Sequence, residues 1–507
     1  MPSQAVLDTP DRESIRDQNR GDKFVRNLFF ANVPLPFQKL RTYLWLVVFS
    51  RAFGPTGFGI WSLFQTTLSS TLMFTGMTQG NAMLRFLPAN RTQEETNRAF
   101  SSVMAAVAVS SAIAALGFII FSKGLSNLIF RDYRGRTALI VIAATVPFET
   151  WFEMMRGLLR GCRLNRSWAF FTLGRQAPEM LILMALAWWW IRDPLVTIGG
   201  YFATAALSVL LGFFYLVRRQ HVRLVRPSTA ILAKYLPYGL ALVPAALASA
   251  LSFAADRYLV GYYLDLRQVG IYSVCFTVSA LGFFFVGPLN DVLLPEMSAL
   301  HDAQEWDLFY IRFSQVQKFV TGLALGAMAL LVAFPQQVLR ALTTRDFSSG
   351  ASTLAVLGLQ GIFMSLVMLY ATMLLVRLRV WWTSAIWASM GLIILITDVI
   401  LLPRVGIIGA GVSQLISSIA GAALVVGLNW DLFRRTFRFH WIAQGGLALS
   451  VVWLLAHFWR GDPSSFGDSL LHLAAGAIVF VLVLGATGYV RISELVALRK
   501  ALLRTPA

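Results

Sequence analysis

Apolar runs of about 20 residues, separated by short polar breaks, recur along nearly the whole chain. That is the length an α-helix needs to cross a ~30 Å hydrocarbon layer. The pattern predicts fourteen spans, at about 29–52, 57–84, 99–122, 137–157, 167–191, 195–217, 236–264, 269–296, 313–334, 353–376, 380–402, 405–429, 441–459 and 469–490. The ten-residue alternation of a membrane β-barrel is absent.

Between the first two runs lies a glycine-rich hinge, Ser50 to Phe64, reading SRAFGPTGFGIWSLF. A related hinge, Asp256 to Val274, reads DRYLVGYYLDLRQVGIYSV. Gly59-Ile60-Trp61-Ser62 in the first matches Gly270-Ile271-Tyr272-Ser273 in the second, about 211 positions on. Ile198-Gly199-Gly200 precedes Ile408-Gly409-Ala410 by about 210. Two echoes at nearly one offset indicate a duplicated six-helix unit. The expected fold is an all-α polytopic membrane protein with two pseudo-repeated six-helix lobes and two extra C-terminal helices. Its expected parts are a tail at 1–26, an N-lobe at 27–217, a basic loop at 218–235, a C-lobe at 236–430, spans thirteen and fourteen at 431–490, and a basic tail at 491–507. Two such lobes around a midline cavity are the layout of a secondary transporter.

Composition agrees with the membrane class. Of 507 residues, 57% are hydrophobic and 13% charged, against roughly a quarter charged in soluble domains; the mean hydropathy is +0.65. The net charge of +18 does not require nucleic acid, because Lys and Arg mark cytoplasmic loops. With both termini cytoplasmic, tails and inner loops hold about 27 of the 43 basic residues and outer loops about 11. Cys162 and Cys275 have no partner cluster, so neither a disulfide framework nor a metal site is expected. The first 26 residues lack the apolar core of a signal peptide.

Ionisable residues inside spans are costly and mark function by default. The candidate substrate-binding cations are Lys39, Arg41, Arg51, Arg175, Arg257 and Lys318; the candidate ion-coupling acids are Glu149, Glu153, Asp256 and Asp291. Lys39 and Arg41 lie about 200° apart on a helix, so both cannot face one cavity squarely, although Pro34 and Pro36 offer a kink. A span beginning near Leu40 would instead leave both at the interface. Glu149 and Glu153 form one stripe with Arg156 and Arg160, either a proton relay or a self-neutralising ladder. Arg175 and Glu179, four apart, can satisfy each other. Asp256-Arg257 is either interfacial or part of the cavity, and Lys318 can snorkel. Asp291 follows Pro288, where a broken helix would expose carbonyls to an ion. Asp398 and Glu296 lie near span ends. Trp188-Trp189-Trp190 reads as an interfacial belt.

There is no GxxxxGK[ST], HExxH or GxSxG, so neither a built-in ATPase nor a catalytic centre is expected. No cofactor is expected beyond a coupling ion, H+ or Na+.

At its hinges the chain resembles the polysaccharide flippase branch of the multidrug/oligosaccharidyl-lipid/polysaccharide exporter superfamily. The resemblance rests on Arg51-Ala52-Phe53-Gly54-Pro55-Thr56-Gly57-Phe58-Gly59, on Asp256-Arg257 through Gly261 to Val269-Gly270-Ile271-Tyr272-Ser273, on Asp291-Val292-Leu293-Leu294-Pro295, and on Pro403 to Gly411. It implies a flippase, not an enzyme, that moves undecaprenyl-diphosphate-linked oligosaccharides across the bacterial inner membrane by alternating access. The implied partners are that substrate, membrane lipid, and polysaccharide polymerase and chain-length or export components. The alternative is an ion-coupled multidrug exporter of the same fold, whose cavity would favour acidic linings. The hinge itself is expected at the outer surface, with its glycines permitting a tight turn and Arg51 at the cavity mouth.

Overall fold

The computed structural model describes residues 33–89, 92–190, 192–459 and 466–489. Both terminal tails expected from the sequence lie outside the described residues, within which there are helices and turns but no strand. The N-lobe comprises α1 (Pro34–Thr75), α2 (Gln79–Phe86), α3 (Gln93–Ile120), α4 (Ser122–Ile129), α5 (Arg134–Gly161), α6 (Asn165–Ala185) and α7 (Pro194–Gln220). The C-lobe comprises α8 (Thr229–Tyr263), α9 (Leu266–Ser279), α10 (Val286–Asp302), α11 (Trp306–Ala333), α12 (Pro335–Leu342), α13 (Ala351–Val376), α14 (Val380–Val405) and α15 (Ile407–Leu428). The short α16 (Trp430–Thr436) leads to α17 (Phe439–Phe458) and α18 (Phe466–Ala486), which pack on α11 and α12.

Among the described residues ten helices are long and apolar enough to cross a membrane, or eleven if the bent pair α9–α10 is one span. The protein is therefore a multi-span membrane protein, but this count does not reach fourteen. The shortfall is in α1 and α6, which bury polar residues such as Ser62, Thr66 and Thr67 in α1 and Gln176 and Glu179 in α6. Helix α1 is a hairpin of two halves meeting at Gly54, where φ is 65°. Trp45 and Trp61 would lie about 24 Å apart on a straight helix, yet their ring centroids are 5.6 Å apart. Glycine takes that backbone conformation without a Cβ penalty.

Several local expectations are corrected. Pro34 occupies the first turn of α1, where proline suits a helix start, so it introduces no kink and Lys39 lies inside the helix. The expected second span ends early at Thr75, because Met77 and Thr78 take positive φ and redirect the chain into α2. The break in span eight falls at Ala280–Gly282 and bends the pair by 41°. It precedes Pro288, which sits inside α10. Helix α7 reaches Gln220 and α8 begins at Thr229, leaving only 221–228 as the connection.

The two hinges meet. A side chain at Gly59 would overlap the Leu266 carbonyl, and one at Gly270 would overlap the Pro55 carbonyl. Glycine at both positions lets α1 and α9 approach backbone to backbone, the packing small residues permit in lipid. Ser62 donates to Ser273 across the same contact at 2.7 Å. The hinge glycines thus serve lobe packing as well as turning, and Gly57 through Leu63 are buried rather than superficial. At the other end of the bundle α8 crosses back onto the N-lobe. Thr78 donates to the Gly239 carbonyl at 2.6 Å, and Phe86 packs on Tyr235 and Tyr238.

Candidate functional site

Between these two closures lies a cavity of about 380 Å³. Both halves of α1 form one wall, and α8 with α9 form the other. The second half of α1 contributes Ser62, Gln65, Thr66, Ser69 and Ser70, a polar stripe at helical spacing. Ser249, Ser273 and Thr277 face it from the C-lobe, with Trp45, Phe58, Trp61 and Phe253 as aromatic surfaces. Two cations reach it, Arg41 from α1 and Arg257 from α8. No Asp or Glu stands among the described lining residues. Such a surface offers charge-assisted donors and many hydroxyls, but no anionic counterpart.

Arg257 uses Nη1 to bond the Phe253 carbonyl at 2.8 Å and rests 4.7 Å over the Phe276 ring. Its Nε is buried with no partner. Arg41 lies 4.4 Å over Trp45 and donates Nη1 to Glu179 Oε1 at 3.0 Å; its Nε too lacks a partner. Both guanidiniums therefore keep donors uncommitted.

Behind Arg41 the N-lobe holds a buried four-charge network. Arg175 grips Glu149 through both terminal nitrogens and donates Nε to Glu179 Oε2 at 3.0 Å. Two arginines face two carboxylates, so the group is electroneutral, as burial demands. Tyr201 of α7 flanks Glu149, and Phe152 lies under Arg175. Arg175 and Glu179 do satisfy each other, but the bond to Glu149, 26 residues away, crosses from α6 to α5. No spacing rule on a single helix predicts it.

The C-lobe holds a second buried group. Asp256 accepts from its neighbour's backbone N–H, from Tyr272 Oη, and from Gln414 Nε2 at 3.0 Å. Gln414 in turn accepts from Gln360 at 3.0 Å. Asp398 of α14 is fully buried with no hydrogen-bond partner for either carboxylate oxygen. Ser413 and Asp256 are its polar surroundings. Position near a span end concealed this residue, since helix packing rather than depth buries it. Gln360 and Gln414, amides in the middle of apolar runs, were the available signal.

The other predicted residues lie elsewhere. Lys39 does not line the cavity and sits 5.8 Å over Phe284. Arg51 donates to the Ala341 carbonyl at 2.7 Å, tying the first hinge to α12 instead of facing the cavity. Lys318 lies over Tyr489, whose hydroxyl bonds the Lys318 carbonyl at 2.7 Å, where α11 meets the end of α18. Glu153 is half-exposed and paired with Arg156, one turn from Glu149 but outside its network. Asp291 belongs to α10, and its side chain is outside the described residues. Cys162 and Cys275 are free, and no metal-binding group of His, Cys, Asp and Glu occurs among the described residues.

The model of the polysaccharide biosynthesis protein family matches residues 25–301. No curated protein matches the chain. Among solved structures, the lipid II flippase MurJ in an inward closed conformation is similar with a TM-score of 0.71 at 13% identity, over 90% of this chain and 98% of that one. An inward-facing multidrug resistance MATE family transporter of the MOP superfamily gives 0.64 at 14% identity, over 80% and 97%. A MOP superfamily transporter from Pyrococcus furiosus, described as having a binding pocket of reversed polarity, gives 0.57 at 15%, over 81% and 94%. These likenesses show a shared fold. The neighbours are transporters and flippases, not enzymes.

Proposed function

Because this chain belongs to the polysaccharide biosynthesis protein family, we propose that it flips undecaprenyl-diphosphate-linked oligosaccharide repeat units across the bacterial inner membrane. The observation that carries this reading is the cavity lining: two arginines with uncommitted donors, a hydroxyl-rich wall and no carboxylate. A diphosphate seeks guanidinium donors, which match its oxygens in pairs. A glycan seeks hydroxyls and aromatic faces. The prenyl tail stays in lipid while the headgroup occupies the cavity between the lobes. The basic connection between α7 and α8 supports cytoplasmic termini by the positive-inside rule.

Transport proceeds by rocking of the lobes, which opens and closes the Gly59–Gly270 contact. The coupling groups are Asp256 and Asp398, two buried carboxylates facing each other, whose charge is costly until a proton or monovalent cation neutralises it. The multidrug-exporter reading fits less well, since a cationic drug would find no acid among the residues that line the cavity.

The test is a deletion strain. Lipid-linked repeat units should accumulate on the cytoplasmic face, and the wild-type gene should clear them. Export restored equally by Arg41→Ala and Arg257→Ala would remove the cavity from the mechanism. Drug sensitivity without a polysaccharide defect would favour the exporter.

A further inference from the structure

Glu179 occupies an unusual place beside the proposed substrate cavity. It does not line the cavity, yet it holds one of the two cations that do. Its Oε1 accepts from Arg41 Nη1 at 3.0 Å, while its Oε2 accepts from Arg175 Nε at 3.0 Å. Arg175 spends its remaining nitrogens on Glu149, so it is held on both sides. Glu179 itself is almost wholly buried. The groups facing it are Arg41 from α1, Arg175 on its own helix, Glu149 from α5 and Tyr201 from α7. Arg41 is the only one of these that reaches the cavity.

The geometry points to Glu179 as a positioning residue that competes with the substrate's diphosphate for Arg41. In the empty cavity Glu179 cancels the Arg41 charge and holds the guanidinium against Trp45. An arriving diphosphate must draw Arg41 away, so part of its attraction is spent on separating the Arg41–Glu179 pair. Glu179 stays in place when Arg41 leaves, because Arg175 keeps its second oxygen. It can therefore recapture Arg41 and help to expel the headgroup after translocation. A flippase needs such a limit on affinity, since a headgroup bound too tightly is not released. The same competition disfavours monophosphates, whose single phosphate group cannot hold Arg257 and draw Arg41 away together. This inference rests on the anionic-headgroup reading above.

The experiment is direct binding to purified full-length protein in detergent, with farnesyl diphosphate as the probe and farnesyl monophosphate as comparison. The wild type should bind the diphosphate, and Arg257→Ala should weaken binding at least ~10-fold, as expected for loss of a charged hydrogen-bonding partner. Glu179→Gln should tighten diphosphate binding about 10-fold and narrow the preference over the monophosphate. In a flipping assay it should lower KM and kcat together. Glu179→Asp, which keeps the charge beside Arg175 but draws the carboxylate back, should show a smaller tightening and decides the matter if the glutamine variant does not fold. Damage to packing cannot raise affinity, so tightening in either variant supports the competition. Unchanged or weaker binding in the folded variants, with Arg257→Ala still weakening the wild type, overturns it while leaving the headgroup reading intact. Absence of diphosphate binding by the wild type, or indifference to Arg257→Ala, overturns both.

Discussion

Ser62 and Ser273, 211 positions apart in the chain, share a hydrogen bond of 2.7 Å at the centre of the contact between the two lobes. Each closes its Gly-Ile-aromatic-Ser motif, so the bond joins matching positions of the two hinges. Alternating access requires this contact to open. Cysteines at both positions, in a Cys162→Ala, Cys275→Ala background, should form a disulfide under a membrane-permeant oxidant. Export should stop on oxidation and recover with reductant. Full export by the cross-linked protein would show that the contact stays closed through the cycle.

The glycines flanking that bond set a second expectation. Gly270→Val places methyl groups against the Pro55 carbonyl and the Gly59 backbone, which are too close to accommodate them. Thiol labelling of a reporter cysteine at Ser62 should rise as the lobes separate, and export should fall. Labelling no faster than in the parent would show that the contact can absorb a side chain.

Glu149 and Glu153 look equivalent along the chain but differ in the fold. Glu149→Gln leaves Arg175 short of charge in a buried site and should cost about 3–5 kcal/mol, seen as a large loss of thermal stability in detergent. Glu153→Gln breaks a half-exposed pair with Arg156 and should cost no more than about 1 kcal/mol. Similar losses from both would contradict the network. Persistence of pH-dependent transport in Glu153→Gln would also set aside a relay along that stripe.

Arg377 grips Asp431 with two hydrogen bonds, at 2.7 and 3.0 Å, where the end of α13 meets α16. The hydrogen bonding to Arg377, and then its charge, hold the Asp431 carboxyl below the usual aspartate range. A depressed folded-state value adds stability above the unfolded value, and that stability is lost as pH falls through the folded one. Asp431 is over half exposed, so Asp431→Asn should cost roughly 0.5–1 kcal/mol at neutral pH. The difference from wild type should vanish at pH values below the aspartate range. A difference that persists there would place the effect in packing.

The duplicated hinge was legible because it is local: Gly59 and Ser62 recur as Gly270 and Ser273 at one offset, and the two glycines permit a close approach. Arg41 and Arg257 were legible as cations out of place in lipid. Which of Lys39 and Arg41 faces the cavity was not, because that depends on the rotation of α1 against α8. The Arg175–Glu149 link joins two helices and leaves no trace in spacing. The surroundings of Asp398 were not legible, because burial against neighbouring helices, not distance from the span end, decides them.

The central claim is that a diphosphate headgroup crosses through the cavity held by Arg257, with Arg41 opposite. The direct measurement is transbilayer movement of a labelled undecaprenyl-diphosphate oligosaccharide in proteoliposomes carrying equal amounts of wild type and Arg257→Ala. The wild type should move the lipid, and the variant at least ~10-fold more slowly, as expected when one charged hydrogen-bonding partner is lost, with Arg257→Lys between them. Equal rates for wild type and Arg257→Ala would contradict the account.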